Sequence, residues 1–192
     1  MKMFNLKKLG FTMIELLIVI AVLGILAVAV LSAINPIEQI NRGKDTGSRS
    51  DVEQLLSATE RFYAAKGWYP WMVGETVAGG NTPVVTPIKL VTDVNDNDSP
   101  AVNMLTKLST GGTSEVKTSF TTRLSSATYN PLYLYSNGDL GDSVYICFNP
   151  KSASFREEAV TRCGVAGAGL PPDLLPMKET VCAGGAEMIC LP

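Results

Sequence analysis

Gly10-Phe11-Thr12-Met13-Ile14-Glu15-Leu16-Leu17-Ile18-Val19-Ile20-Ala21-Val22-Leu23-Gly24-Ile25-Leu26-Ala27 is an almost unbroken apolar run with one carboxylate near its start. Apolar residues continue to Ile34, and Glu15 is the only charged residue between Phe11 and Ile34. A helix of about 24 residues reaches ~36 Å, enough to cross a bilayer core of ~30 Å. A membrane anchor accounts for every residue of this stretch except Glu15.

Ahead of the run lie Lys2, Lys7 and Lys8, with no acid. Basic residues beside a span stay on the cytoplasmic side, so the bulk of the chain is expected outside. A cleaved secretory signal has an apolar core of ~7–15 residues followed by a small-residue site. Leu16–Leu31 is too long for that, and Leu31-Ser32-Ala33 is a poor site. A soluble core helix is rarely apolar on all sides over such a length. A lone carboxylate at membrane depth costs roughly 2.5–3.5 kcal/mol, so Glu15 calls for a partner. No Lys or Arg occurs between Lys8 and Arg42. A cut between Gly10 and Phe11 would supply an α-amine instead. The amine of a neighbouring copy, displaced along the axis, pairs with Glu15 better than the chain's own, which turns a cost into a specification for side-by-side packing.

Gly10 followed by Phe11-Thr12-Met13-Ile14-Glu15-Leu16-Leu17 resembles the class III leader and N-terminal motif of type IV pilins and pseudopilins. The resemblance is tight over residues 1–34, looser along the next helix and only architectural beyond about residue 70. It implies a pilin fold of α+β class: a long N-terminal helix, transmembrane then amphipathic, packed on a small antiparallel sheet. It also implies that a prepilin peptidase cuts after Gly10, that Phe11 is methylated, and that Glu15 guides assembly. The implied partners are further copies in a helical filament, the peptidase, the pilus or secretion machinery, and the cytoplasmic membrane before assembly. The expected organisation is a leader (1–10), a filament-core half-helix (11–34), an amphipathic half-helix (35–66) and a head (67–192). The implied roles are adhesion, motility or DNA uptake as a pilin, or service in a type II secretion or competence system as a pseudopilin. A monomeric membrane-anchored binding module outside the cell is the alternative of another class.

The remaining composition narrows the chemistry. The 192 residues carry a formal charge of −2, and removing a leader with three lysines makes the rest more acidic. That balance does not indicate a nucleic-acid surface. The chain contains no His, which removes Ser-His-Asp and Cys-His catalysis and imidazole-dependent zinc sites. No cofactor, metal or enzymatic activity is expected. Cys147, Cys163, Cys182 and Cys190 all lie in the last quarter. An even number in an exported chain points to disulfides, with three pairings open. No C-x₂-C pair favours a zinc site, and sequential pairing, Cys147–Cys163 and Cys182–Cys190, is preferred as a brace for short C-terminal loops.

Along the chain, Pro36 is expected to kink or loosen the helix. Val52, Leu55, Leu56, Thr59, Phe62 and Tyr63 recur at helical spacing, while Asp45, Arg49 and Asp51 sit off that stripe. One continuous rod softened near Gly43–Gly47 is favoured over a fresh start at Ser50. Gly67 and Pro70 end it, and Trp68, Tyr69 and Trp71 seal its junction with the head. A strand is expected near 84–91, and a helix from Ser99-Pro100 to about Leu108. Asp93-Val94-Asn95-Asp96-Asn97-Asp98 imitates a calcium loop, but Asp98 replaces the required Gly and Met104 the bidentate Glu, so a solvated acidic turn is expected. Residues 113–128, rich in Ser and Thr, carry no clear signal. Leu132–Ser136 and Ser143–Phe148 flank an Asn/Gly/Asp turn and predict an antiparallel hairpin, with Leu132, Leu134, Val144, Ile146 and Phe148 toward the long helix. Ser154-Phe155-Arg156-Glu157 fits a capping box for a helix ending near Cys163-Gly164. The glycines at 164–169 predict a flexible surface turn, and a last strand is expected at 187–191.

Overall fold

The computed structural model describes residues 10–75, 82–96, 100–110, 114–138, 143–164, 167–185 and 187–192. The leader lysines, Gly79-Gly80, Asn97-Asp98-Ser99, Gly111-Gly112, the turn residues 139–142 and Val165-Ala166 lie outside the described residues. The chain divides into two units, Met1–Gln39 and Ile40–Pro192.

The first unit is dominated by helix α1, Met13–Ala33. Its stretch Met13–Ser32 has a mean hydropathy of 3.1 and no buried residue, and is long and apolar enough to cross a membrane. α1 ends at Ile34, which takes an extended conformation (φ −101°, ψ 130°). Helix α2, Pro36–Lys66, then begins with proline at its first position. Asn35 precedes it, and its Oδ1 accepts from the Glu38 amide at 3.3 Å. A proline disfavours helical backbone in the residue before it and has no amide to lose at N1, so the two helices meet here. The interruption therefore lies at Ile34-Asn35 and not at Gly43–Gly47, where α2 runs unbroken.

The second unit packs α2 onto a four-stranded antiparallel sheet. Its strands are β1 (Val85–Leu90), β2 (Leu132–Ser136), β3 (Val144–Phe148) and β4 (Ile189–Leu191), in the order β1-β2-β3-β4. The expected hairpin forms, with Leu132 opposite Phe148, Leu134 opposite Ile146 and Cys147 opposite Cys190 on β4. Pro87 is accommodated because β1 is an edge strand.

Strand alternation splits the side chains between two cores. Leu132, Leu134, Ile146, Phe148 and Ile189 join Val52, Leu55, Leu56 and Phe62 of α2. Helices α3 (Met104–Ser109) and α4 (Thr118–Leu124) add Met104, Leu105, Leu108, Phe120 and Leu124. Val144 is only partly buried there, and Tyr63 stays exposed. The opposite face buries Tyr135, Tyr145, Cys147 and Cys190 under Leu174, Val181 and Met188. The C-terminal segment is short of regular structure, yet it forms the second layer of the head.

Several boundaries depart from expectation because a distant partner chooses the cap. α3 begins after Asn103, whose Oδ1 accepts from the Leu105 amide at 2.8 Å while its Nδ2 donates to the Thr92 and Val94 carbonyls. That clamp places the start, Met104, four residues beyond Pro100. Helix α5, Ala153–Cys163, is capped by Ser152 and not by Ser154. The Ser/Thr-rich stretch contains α4. Gly67, at φ 81°, provides the left-handed C′ position that ends α2. Gly169 is not part of a loose turn: a Cβ there would stand 2.1 Å from the Arg162 carbonyl oxygen at the end of α5.

The disulfide expectation is corrected. The bonds are Cys147–Cys190 and Cys163–Cys182, one nested within the other. β3 and β4 lie side by side with Cys147 facing Cys190, while the end of α5 brings Cys163 to the short helix α6 (Lys178–Val181) and the Cys182 that follows it. Sequential pairing would require Cys147 to abandon the partner directly across the ladder.

Candidate functional site

The N-terminal site is built from four residues at the start of α1. Gly10 and Phe11 lie ahead of the first helical turn and are exposed, Phe11 by 82%. An added Cβ on Gly10 meets nothing within 4 Å among the described residues, so none of their contacts demands glycine there. Thr12 is the N-cap of α1, and Glu15 is its N3 residue. The Glu15 amide donates to Thr12 Oγ1 at 3.3 Å. In return Thr12 N–H and Oγ1–H donate to Glu15 Oε2 at 2.8 and 2.7 Å. This reciprocal capping box satisfies donors at a helix end and sets a negative charge beside the positive pole of the helix.

Thr12 is the residue that sequence reasoning missed, although the signal was present: Thr-x-x-Glu before an apolar run is a capping pattern. The box also revises the account of Glu15. Its carboxylate is not left bare within its own chain, because Thr12 gives it two hydrogen bonds. Those bonds provide no opposite charge, and among the described residues no cation pairs with Glu15.

In the head, three polar residues of α2 are turned inward, contrary to expectation, while Glu53, Glu60 and Arg61 stay exposed. Asp45, Ser48 and Asp51 are buried one turn apart, directly below the apolar stripe. Asp45 accepts from the Lys151 amide at 3.0 Å and from both the amide and hydroxyl of Ser152 at 2.7 Å. It thereby anchors the N-cap of α5. Ser48 Oγ accepts from Asn130 at 3.3 Å. Asp51 takes a bidentate bond from Arg123, at 2.7 and 2.9 Å, and a further bond from the Tyr129 hydroxyl. Burial, with Asp51 alongside, pushes the Tyr129 hydroxyl far above its ordinary pKa, so it remains a donor. The partners all come from residues 123–152, which helical periodicity cannot reveal.

Other carboxylates are also engaged in the fold. Asp96 is buried and pairs with Lys107 at 2.5 Å, so the acidic turn is not solvated there. Glu158 bridges Arg49 and Arg162. Burial acts to raise its pKa, but the two guanidiniums outweigh it and the pKa falls below the ordinary value. Asp173 accepts from the Ser143 amide at 3.0 Å and the Tyr145 hydroxyl at 2.8 Å, which outweigh burial and likewise lower it. A groove of about 900 Å³ runs beside α2 and α4, and its Arg61 and Arg123 are committed to Glu115 and Asp51. Trp71 is buried and donates its indole N–H to the Pro83 carbonyl at 3.0 Å, sealing the end of α2 as expected.

A family model described as the prokaryotic N-terminal methylation motif matches residues 5–31. This is the class III signal peptide of type IV pilins and pseudopilins. No curated protein and no solved structure matches the chain.

Proposed function

We infer that this chain is a type IV pilin-like or pseudopilin precursor, and that its mature form is a structural subunit of a helical filament. The observation that carries this reading is the methylation motif at 5–31, which runs into a helix that is apolar on every side and left unburied by the described residues.

In this proposal the peptidase cuts the exposed bond after Gly10, and the new Phe11 amine is methylated. Residues 11–34 hold the precursor in the cytoplasmic membrane with the head outside. On assembly the same apolar surface exchanges lipid for neighbouring helices. Glu15 then meets the Phe11 amine of an adjacent copy, while Thr12 keeps the carboxylate oriented from within its own chain. The head, stiffened by two disulfides, forms the outer surface and works by contact, in adhesion, motility or DNA uptake. A pseudopilin of a secretion or competence machine would use the same helix chemistry.

Mass spectrometry of protein purified from membranes and from sheared filaments tests this directly. A chain beginning at a methylated Phe11 is expected in both fractions. Native protein that starts at Met1 and occurs only as a membrane monomer would overturn the reading.

A further inference from the structure

We propose that the cavity beside the C-terminal end of α2 binds a saccharide, with Tyr63 offering a stacking face to a single pyranose ring. The starting observation is an aromatic ladder. Tyr69 stacks on Trp71 with centroids 4.6 Å apart and planes inclined by 3°, and on Tyr63 at 4.6 Å and 29°. Two rings at that distance occupy opposite faces of Tyr69. The Trp71 end is buried, so Tyr63 is the outer rung, 46% exposed, with one face on Tyr69 and no ring among the described residues on the other.

The cavity at this rung has a volume of about 270 Å³ and is lined by Thr59, Glu60, Tyr63, Tyr69, Ser143 and Val144, among others. That is below the ~300–1,000 Å³ of sites for larger ligands, so it suits one small ring. A stack of rings whose outer member is Tyr63, inclined by 29° to Tyr69, presents one aromatic face, which fits a flat ligand and not the enclosed aromatic cage that surrounds a quaternary ammonium.

The rim selects among flat ligands. Among the lining residues Glu60 carries a carboxylate, and Tyr63, Tyr69 and Ser143 carry hydroxyls, groups that both donate and accept. A nucleotide would bring its phosphate against Glu60. A pyranose offers a C–H face to the Tyr63 ring and several hydroxyls to this mixed rim. The proposal stands apart from leader processing and filament assembly.

Saturation-transfer NMR on the detergent-solubilised full chain tests it, with methyl β-D-glucopyranoside, methyl β-D-galactopyranoside and N-acetylglucosamine as probes. Transfer to the ring C–H protons of at least one probe is expected. Tyr63→Phe, which keeps the platform, should retain it. Tyr63→Ala should weaken binding at least about tenfold, the scale of losing one stacking face. Tyr63→Leu keeps apolar bulk without a ring and should lose binding while the thermal midpoint holds, so a folding defect in the alanine variant would not obscure the result. Absence of transfer to all three sugars, undiminished transfer in Tyr63→Leu, or binding of methylguanidinium with no pyranoside bound would each overturn the proposal.

Discussion

Asp45 and Ser152, 107 positions apart in the chain, are joined by two buried hydrogen bonds, from the Ser152 amide and hydroxyl to one carboxylate oxygen. The contact ties the middle of α2 to the cap of α5. It makes an acid the hinge pin of the head.

Asp45→Ala should therefore destabilise the head by about 2–4 kcal/mol. It leaves the buried Ser152 donors and the part-buried Lys151 amide without their acceptor, and bonds to a carboxylate are the stronger kind. The midpoint of urea unfolding, followed by tryptophan fluorescence, measures this. A midpoint equal to wild type would show that Asp45 is dispensable.

Acid should weaken the head through Asp173 and Glu158. Both have folded pKa values below their ordinary 3.8 and 4.5. The stability they contribute is then fully present above the unfolded pKa and is lost as pH falls through the folded one. Thermal midpoints between pH 7 and pH 2.5 should be flat down to about pH 4.5 and then drop. Asp173→Asn should lower the plateau and flatten part of the drop. Parallel curves for the two proteins would exclude Asp173 as a source.

Nested disulfides give a definite peptide map. Non-reducing digestion should yield Cys147 linked to Cys190 and Cys163 linked to Cys182. Peptides joining Cys147 to Cys163 would contradict the fold. By loop-closure entropy, the bond spanning 43 residues contributes about 4 kcal/mol and the one spanning 19 about 3. Paired Cys→Ser variants should rank in that order by denaturant midpoint.

Gly10→Ala should insert into the membrane with its fold unchanged, because a methyl group there touches none of the described residues. On the proposed processing it should nevertheless remain uncut, since the requirement would lie with the peptidase. Immunoblotting distinguishes precursor from product, and normal shortening would refute the proposed site.

Thr12→Val separates the two duties of Glu15. Losing the cap should cost about 1 kcal/mol of local helix stability. If Glu15 acts in assembly by its charge, Thr12→Val should still co-assemble with wild type while Glu15→Ala is cut but excluded. Pull-down of tagged variants in sheared filaments reads this out. Equal exclusion of both would make Glu15 a helix cap and nothing more.

The division between sequence and structure follows the range of the forces involved. The N-terminal motif was legible because its signals are local: basic residues, Gly10-Phe11 and a lone Glu15 stand together at the head of an apolar run, although the Thr12–Glu15 box within it went unread. The hairpin was legible for the same reason, through alternation around a turn. Asp45 and Asp51 were misread because helical spacing reports which face a residue occupies, not whether a distant donor waits there. Their partners lie at 123–152, and only packing brings them close enough to hold a buried carboxylate. The cysteines behave likewise. Composition by itself determined that they pair, but strand order decided which sulfur faces which, because a covalent bond forms only between side chains that the tertiary fold sets within reach.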